Sequence, residues 1–230
     1  MPQVIIALLM ILFTIVSYYM MVKVHARFTY SFLIPVLTST VFIIFILVVF
    51  HIPYDSYMTG GKWINSLLGP AVVALAFPLY KQREFIKNHL LLIIGGVSVA
   101  GILGILSVGV LAKTAGLSQQ LSLSILPKSV TTPVAMAVAD GLGASPSMAI
   151  AGVMIAGIFG TMAAPLIFKL FGVESHVGKG IALGSTAHAI GTAKAAEYSE
   201  LAFSMGSVSM TMNAILSSFA GPAIAWLLFG

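Results

Sequence analysis

From Val4 to Val22 the chain carries no charged side chain, and comparable apolar runs recur at Phe32–Phe50, Leu90–Ala112, Ser147–Phe171 and Leu201–Phe229. A bilayer core of about 30 Å is crossed by roughly 20 mostly apolar helical residues. Inside lipid every backbone N–H and C=O must find its partner within the protein, so runs of this length fold as helices. Only 7% of the residues are charged and 59% are hydrophobic, against about a quarter charged in a globular domain. The expected class is an all-α polytopic membrane protein: one integral membrane transport domain over residues 1–230, multi-pass in the cytoplasmic membrane and surrounded by lipid.

The absence of cysteine removes disulfides, thiolate chemistry and Cys-based metal sites together. A net charge of +5 is what cytoplasmic membrane loops supply and calls for no nucleic acid. No basic stretch precedes the first apolar run and no small-residue cleavage site follows it, so that run is read as a retained span.

Taken in order, the chain gives about eight apolar segments, two or three of them discontinuous or re-entrant. Val4–Val22 ends at Lys23, His25 and Arg27, and Phe32–Phe50 leads into a polar loop over His51–Lys62. Trp63–Tyr80 is interrupted by Gly69-Pro70 and Pro78, which predicts a broken third segment. The basic loop Lys81–His89 falls on the same side as Lys23–Arg27, a side the positive-inside rule makes cytoplasmic. Leu90–Ala112 and Ser147–Phe171 are rich in glycine, which reads as close helix packing. The last segment is polar through Ser204–Asn213 and is expected to break at Gly221-Pro222. Pro70, Pro133 and Pro222 each open a similar apolar phrase, which reads either as an inverted-repeat transporter fold or as chance likeness in so apolar an alphabet.

Two stretches place polar groups inside this apolar frame. Leu126–Pro133, LPKSVTTP, sets Lys128, Ser129, Thr131 and Thr132 between two prolines. An ammonium in hydrocarbon costs roughly 2.5–3.5 kcal/mol even on the lenient insertion scale, so something must compensate it. Proline obstructs helical continuation and leaves backbone groups to be satisfied by protein, water or ligand. Free N–H groups, hydroxyls and a cation together make a receptor for a small anion. The alternative is a lysine snorkelling to headgroups.

Gly184–Glu197, GSTAHAIGTAKAAE, holds Ser185, Thr186, His188, Gly191 and Thr192. His188 and Thr192 share a face only if the helix is continuous, which Gly191 weakens. His188 is the one histidine within an expected membrane segment, and an ordinary pKa near 6.5 suits it to carry a coupling proton. The alternative is a buried histidine donating to a carbonyl between packed helices. Lys194 and Glu197 can pair, and Asn213 is either a site residue or glue between helices. No nucleophile with its base, Walker loop or HExxH pair is present, so no enzyme, cofactor or metal site is expected.

LPKSVTTP, HAIGTAKA at His188–Ala195 and LGPAVVALAFPLYKQ at Leu68–Gln82 together resemble the LrgB/CidB family of bacterial membrane proteins over essentially the whole chain. That resemblance implies one of two activities. One is antiholin-like: modulation of murein hydrolase export and cell lysis with a small holin-like membrane partner of the LrgA/CidA type. The other, suggested by related proteins including a plastid-envelope member, is carriage of small monocarboxylates such as glycolate, glycerate or pyruvate. The residues favour a carrier, proton-coupled through His188, with its substrate held by Lys128, Ser129, Thr131, Thr132, Ser185, Thr186, His188, Gly191, Thr192 and Asn213; a homo-oligomer is expected, though no residue pattern sets the number of subunits.

Overall fold

The computed structural model describes residues 2–28, 33, 35–74, 76–81 and 83–230. Phe32, where the second span is expected to begin, and Gln82 in the basic loop lie outside them. Helix is the only regular structure among the described residues. They divide into two compact units, residues 1–73 and 74–230.

In the first unit α1 (Pro2–Arg27), α2 (Pro35–Val49) and α3 (Tyr54–Ser66) follow one another. Much of the expected His51–Lys62 loop is therefore helix. The reason is Gly60, which lets α3 lie directly on α1: a Cβ there would come within 2.6 Å of the Ala7 carbonyl oxygen. Thr14 and Tyr57 share a hydrogen bond of 3.1 Å across the same contact. α4 (Leu68–Ala74) follows the Leu67 turn.

The second unit contains α5 (Ala76–Lys81), α6 (Arg83–Asn88), α7 (Leu90–Thr114), α8 (Gln119–Ile125), α9 (Thr132–Gly141), α10 (Pro146–Leu170), α11 (His176–Ala195) and α12 (Glu200–Phe229). Serine opens four of these helices. Ser118, Ser145, Ser175 and Ser199 each accept a backbone N–H of the first turn, satisfying donors that helix starts leave free. α9 differs, because its N-cap Thr131 makes no such bond.

Among the described residues four helices, α1, α7, α10 and α12, are long and apolar enough to cross a membrane, and α2 is a shorter apolar helix. The expected eight segments are thus not matched by eight long helices. Leu121–Ala139 divides into α8 and α9 around the proline turn, and the Trp63–Tyr80 stretch is distributed over the end of α3, α4 and α5. The expected break at Gly221-Pro222 is absent, since Pro222 lies inside α12. Proline is tolerated in an apolar helix because neighbouring groups can meet the carbonyl it leaves unpaired. The inverted repeat is not seen as such in this order of elements.

α11 packs along α12 at backbone distance. A Cβ on Gly180 would strike the Ala202 carbonyl oxygen, and one on Gly184 the Gly206 carbonyl oxygen. Replacing Gly184 by Leu is expected to destabilise the detergent-solubilised protein by about 1–3 kcal/mol or more. Gly95→Ala, inside α7 with nothing within 4 Å of the new Cβ, is expected to be neutral or to stabilise by up to about 1 kcal/mol. Thermal unfolding of the two variants measures the contrast.

Candidate functional site

The turn between α8 and α9 is where the prolines place it. α8 stops at Ile125, Pro127 is fully buried, and hydrogen bonds from Lys128 N to Ile125 O (3.2 Å) and Val130 N to Pro127 O (3.3 Å) close the turn. α11 is broken as well, at His188, whose φ of 43° and ψ of −130° are not helical. A non-glycine residue held there stores on the order of 1–3 kcal/mol of strain and persists only where its surroundings fix it. Here the surroundings belong to α10. His188 Nε2 lies 2.9 Å from the Val153 carbonyl oxygen, and a Cβ on Gly157 would approach the imidazole Cε1 to 2.8 Å. Gly157 is the space the ring occupies.

These two breaks meet on α12. Asn213, fully buried, donates from Nδ2 to the Ser129 carbonyl at 2.9 Å and to the Ser185 carbonyl at 2.9 Å. Both acceptors belong to interrupted backbone, where a carbonyl loses its usual donor four residues on. Its Oδ1 accepts from Ser217 Oγ at 3.5 Å and faces Gly101 of α7, where a Cβ would collide with it.

The expected site residues therefore separate into three neighbourhoods. Lys128 and Thr186 line a groove of about 540 Å³ with Ile125, Ile155, Phe159 and Ala163. Lys128 is half-buried; its Nζ donates to Ser129 Oγ at 3.2 Å, and among the described residues no acidic side chain pairs with it. The second neighbourhood is the crossing at Asn213, which holds the buried Ser129 and Ser185 by their carbonyls, with buried Thr131 two residues beyond Ser129 in the chain. Thr131 Oγ1 and Ser185 Oγ there have no hydrogen-bond partner. Thr132, half-buried, opens α9 immediately after. The third holds His188 against α10 and Thr192 against Gly206 and Met210 of α12. Gly191 is a packing residue, because a Cβ there would meet the Leu183 carbonyl oxygen.

Thr186 is exposed, and its hydroxyl bonds back to the Ala182 carbonyl at 2.7 Å. Lys194 and Glu197 form the expected pair, 2.6 Å apart, outside these neighbourhoods. Gly101, Val153 and Gly157 were not legible as site residues, since a glycine-rich helix announces close packing without naming what it receives.

The whole-chain comparisons now bear on this arrangement. The LrgB-like family matches residues 14–227. The chain belongs to the LrgB family. It is 55% identical over 227 residues to the uncharacterized protein YxaC of Bacillus subtilis, covering 99% of both chains. It is 35% identical over 223 residues to the holin-like protein CidB of Staphylococcus aureus, covering 97% of both. No solved structure matches it. Within this LrgB-family chain, the specific motifs LPKSVTTP and HAIGTAKA coincide with the two backbone breaks.

Asn213→Ala is expected to leave both carbonyls without their donor and to cost about 2–6 kcal/mol, taking about 1–3 kcal/mol for each buried group. Ser217→Ala, which removes only a long hydrogen bond, is expected to cost under about 1 kcal/mol. Denaturation midpoints of the two variants test this difference.

Proposed function

We propose that this LrgB-family protein is a membrane carrier for a small monocarboxylate such as pyruvate or glycolate, with Lys128 as the counter-charge. The observation that carries the reading is the Lys128 ammonium: half-buried in a mostly apolar groove, held by one neutral hydroxyl and neutralised by no acidic side chain among the described residues. An anion entering the groove supplies the missing partner. Next to it lies the start of α9, the helix whose cap residue Thr131 makes no side-chain bond to the first turn, and a helix N-terminus favours negative charge. Ser129, Thr131 and Thr132 would orient the carboxylate, and Thr186 the far end of the ligand.

Proton coupling is the part of this reading that falls to His188. With Nε2 donating to the Val153 carbonyl, Nδ1 remains to accept a proton. The substitution His188→Gln keeps a donor for that carbonyl and removes the titration. Exchange of labelled carboxylate across liposomes is expected to persist in this variant, and uptake driven by a pH gradient to vanish.

A second reading has its own support. The name of the CidB relatives, holin-like protein, speaks for an antiholin-like regulator of murein hydrolase export and cytolysis, working with a small LrgA/CidA-type membrane partner. On present comparisons that activity is the better supported by name, and the carrier by geometry. Liposomes loaded with a fluorescent dye and bathed in labelled pyruvate separate them. A carrier admits pyruvate, retains the dye and slows about tenfold or more in Lys128→Gln. A holin-type protein releases the dye, does not select pyruvate and is indifferent to Lys128.

A further inference from the structure

The crossing at Asn213 is an unusual place in a membrane protein, because its unsatisfied groups are all oxygens. Thr131 Oγ1 and Ser185 Oγ lack partners although Thr131 is 7% exposed and Ser185 0%. Two buried hydroxyls left open, one on Ser185 itself and one two residues beyond Ser129, call for an explanation, since most buried polar atoms are paired. The Ser129 and Ser185 carbonyls each spend one lone pair on Asn213 Nδ2, and both lie 2.9 Å from that nitrogen. Each retains a second lone pair. Ser185 also sits in the last turn of α11 before the break at His188, at the negative end of that half-helix.

We propose that this crossing binds a dehydrated monovalent cation, sodium, through Ser185 Oγ, Thr131 Oγ1 and the carbonyl oxygens of Ser129 and Ser185. Hard cations take oxygen ligands, and unwound backbone at a helix break is a source of them. Neutral ligands favour a single charge: no group of three acidic or histidine side chains able to hold a metal ion occurs among the described residues. Asn213 is the positioning residue, because its amide fixes both carbonyls.

The site deepens the carrier reading and rests on it for its purpose. The Lys128 ammonium, bonded to Ser129 Oγ, opposes a cation at the neighbouring carbonyl. A bound carboxylate cancels that opposition, so cation and carboxylate each strengthen the other's binding by the same factor. Thr131 can serve both, giving its proton to the carboxylate and a lone pair to the cation. Sodium acts beside the proton expected at His188 and does not replace it.

The test reads cation binding without transport. Purified protein in detergent is titrated with sodium, potassium or choline chloride at constant ionic strength while thermal unfolding is followed, since a ligand of the folded state raises its midpoint. Sodium is expected to raise the midpoint saturably, and potassium and choline are not. The half-saturating sodium concentration is expected to rise about tenfold or more in Ser185→Ala and Thr131→Val. In Lys128→Gln it is expected to fall severalfold, because the opposing charge is gone. Both hydroxyl variants should unfold in choline no earlier than the parent protein, as they remove groups with no partner. Equal midpoints in all three salts, or a sodium effect that none of the three substitutions changes, overturns the site. Earlier unfolding of both hydroxyl variants in choline overturns it too, by showing that those hydroxyls already have partners. Failure here leaves carboxylate flux untouched, and absent flux leaves sodium binding standing.

Discussion

A single side-chain amide holds two interrupted helices at one point. Asn213 Nδ2 bonds the Ser129 and Ser185 carbonyls, and its oxygen rests where Gly101 leaves room. In water such bonds are each worth about 1 kcal/mol net, but an unpaired buried carbonyl is costly, so removing the amide removes more than its bonds contribute. Broken backbone at membrane depth is tolerated only where protein or a water-filled cavity surrounds it. α7 and α12 provide that surrounding, and the Gly180–Ala202 and Gly184–Gly206 approaches bring α11 close enough for Asn213 to reach it.

The proposed carrier function draws on what the breaks expose. The α8–α9 turn presents to a groove an ammonium that no acidic side chain among the described residues neutralises, and the break at His188 turns an imidazole onto the α10 backbone instead of along its own helix. A scaffold of this kind offers a small anion one strong contact and little else that is charged. That suits a carrier, which must release what it binds. Holin-like is the name of the Staphylococcus aureus CidB relatives, which are 35% identical to this chain.

Much of this was readable from residues whose chemistry is local. Pro127 and Pro133 cannot continue a helix, and α8 and α9 end and begin beside them. The isolated charge of Lys128 marked that turn as special. Gly191 correctly signalled a disturbed helix, yet the residue that breaks it is His188, because the driving contact is with Val153 and Gly157 on another helix. Asn213 was legible as polar within an apolar run, whereas its two acceptors lie 84 and 28 residues away and no periodicity reveals them. Pro222 misled in the opposite direction: local preference predicted a break, and α12 continues through it. The helix over Tyr54–Ser66 was hidden because its stability comes from lying on α1 across Gly60, a tertiary contact that overrides a polar sequence.

The central claim is that the Lys128 groove opens to water and receives a carboxylate. Because the chain contains no cysteine, a single thiol placed at Thr186 reports on that groove without background. The decisive measurement is the rate at which a charged, membrane-impermeant thiol reagent modifies Thr186→Cys, with and without pyruvate or glycolate, in the native Lys128 background and in Lys128→Gln. The account predicts ready modification, slowed by carboxylate only when Lys128 is present. A thiol that the reagent cannot reach, or one that carboxylate never protects, would contradict it.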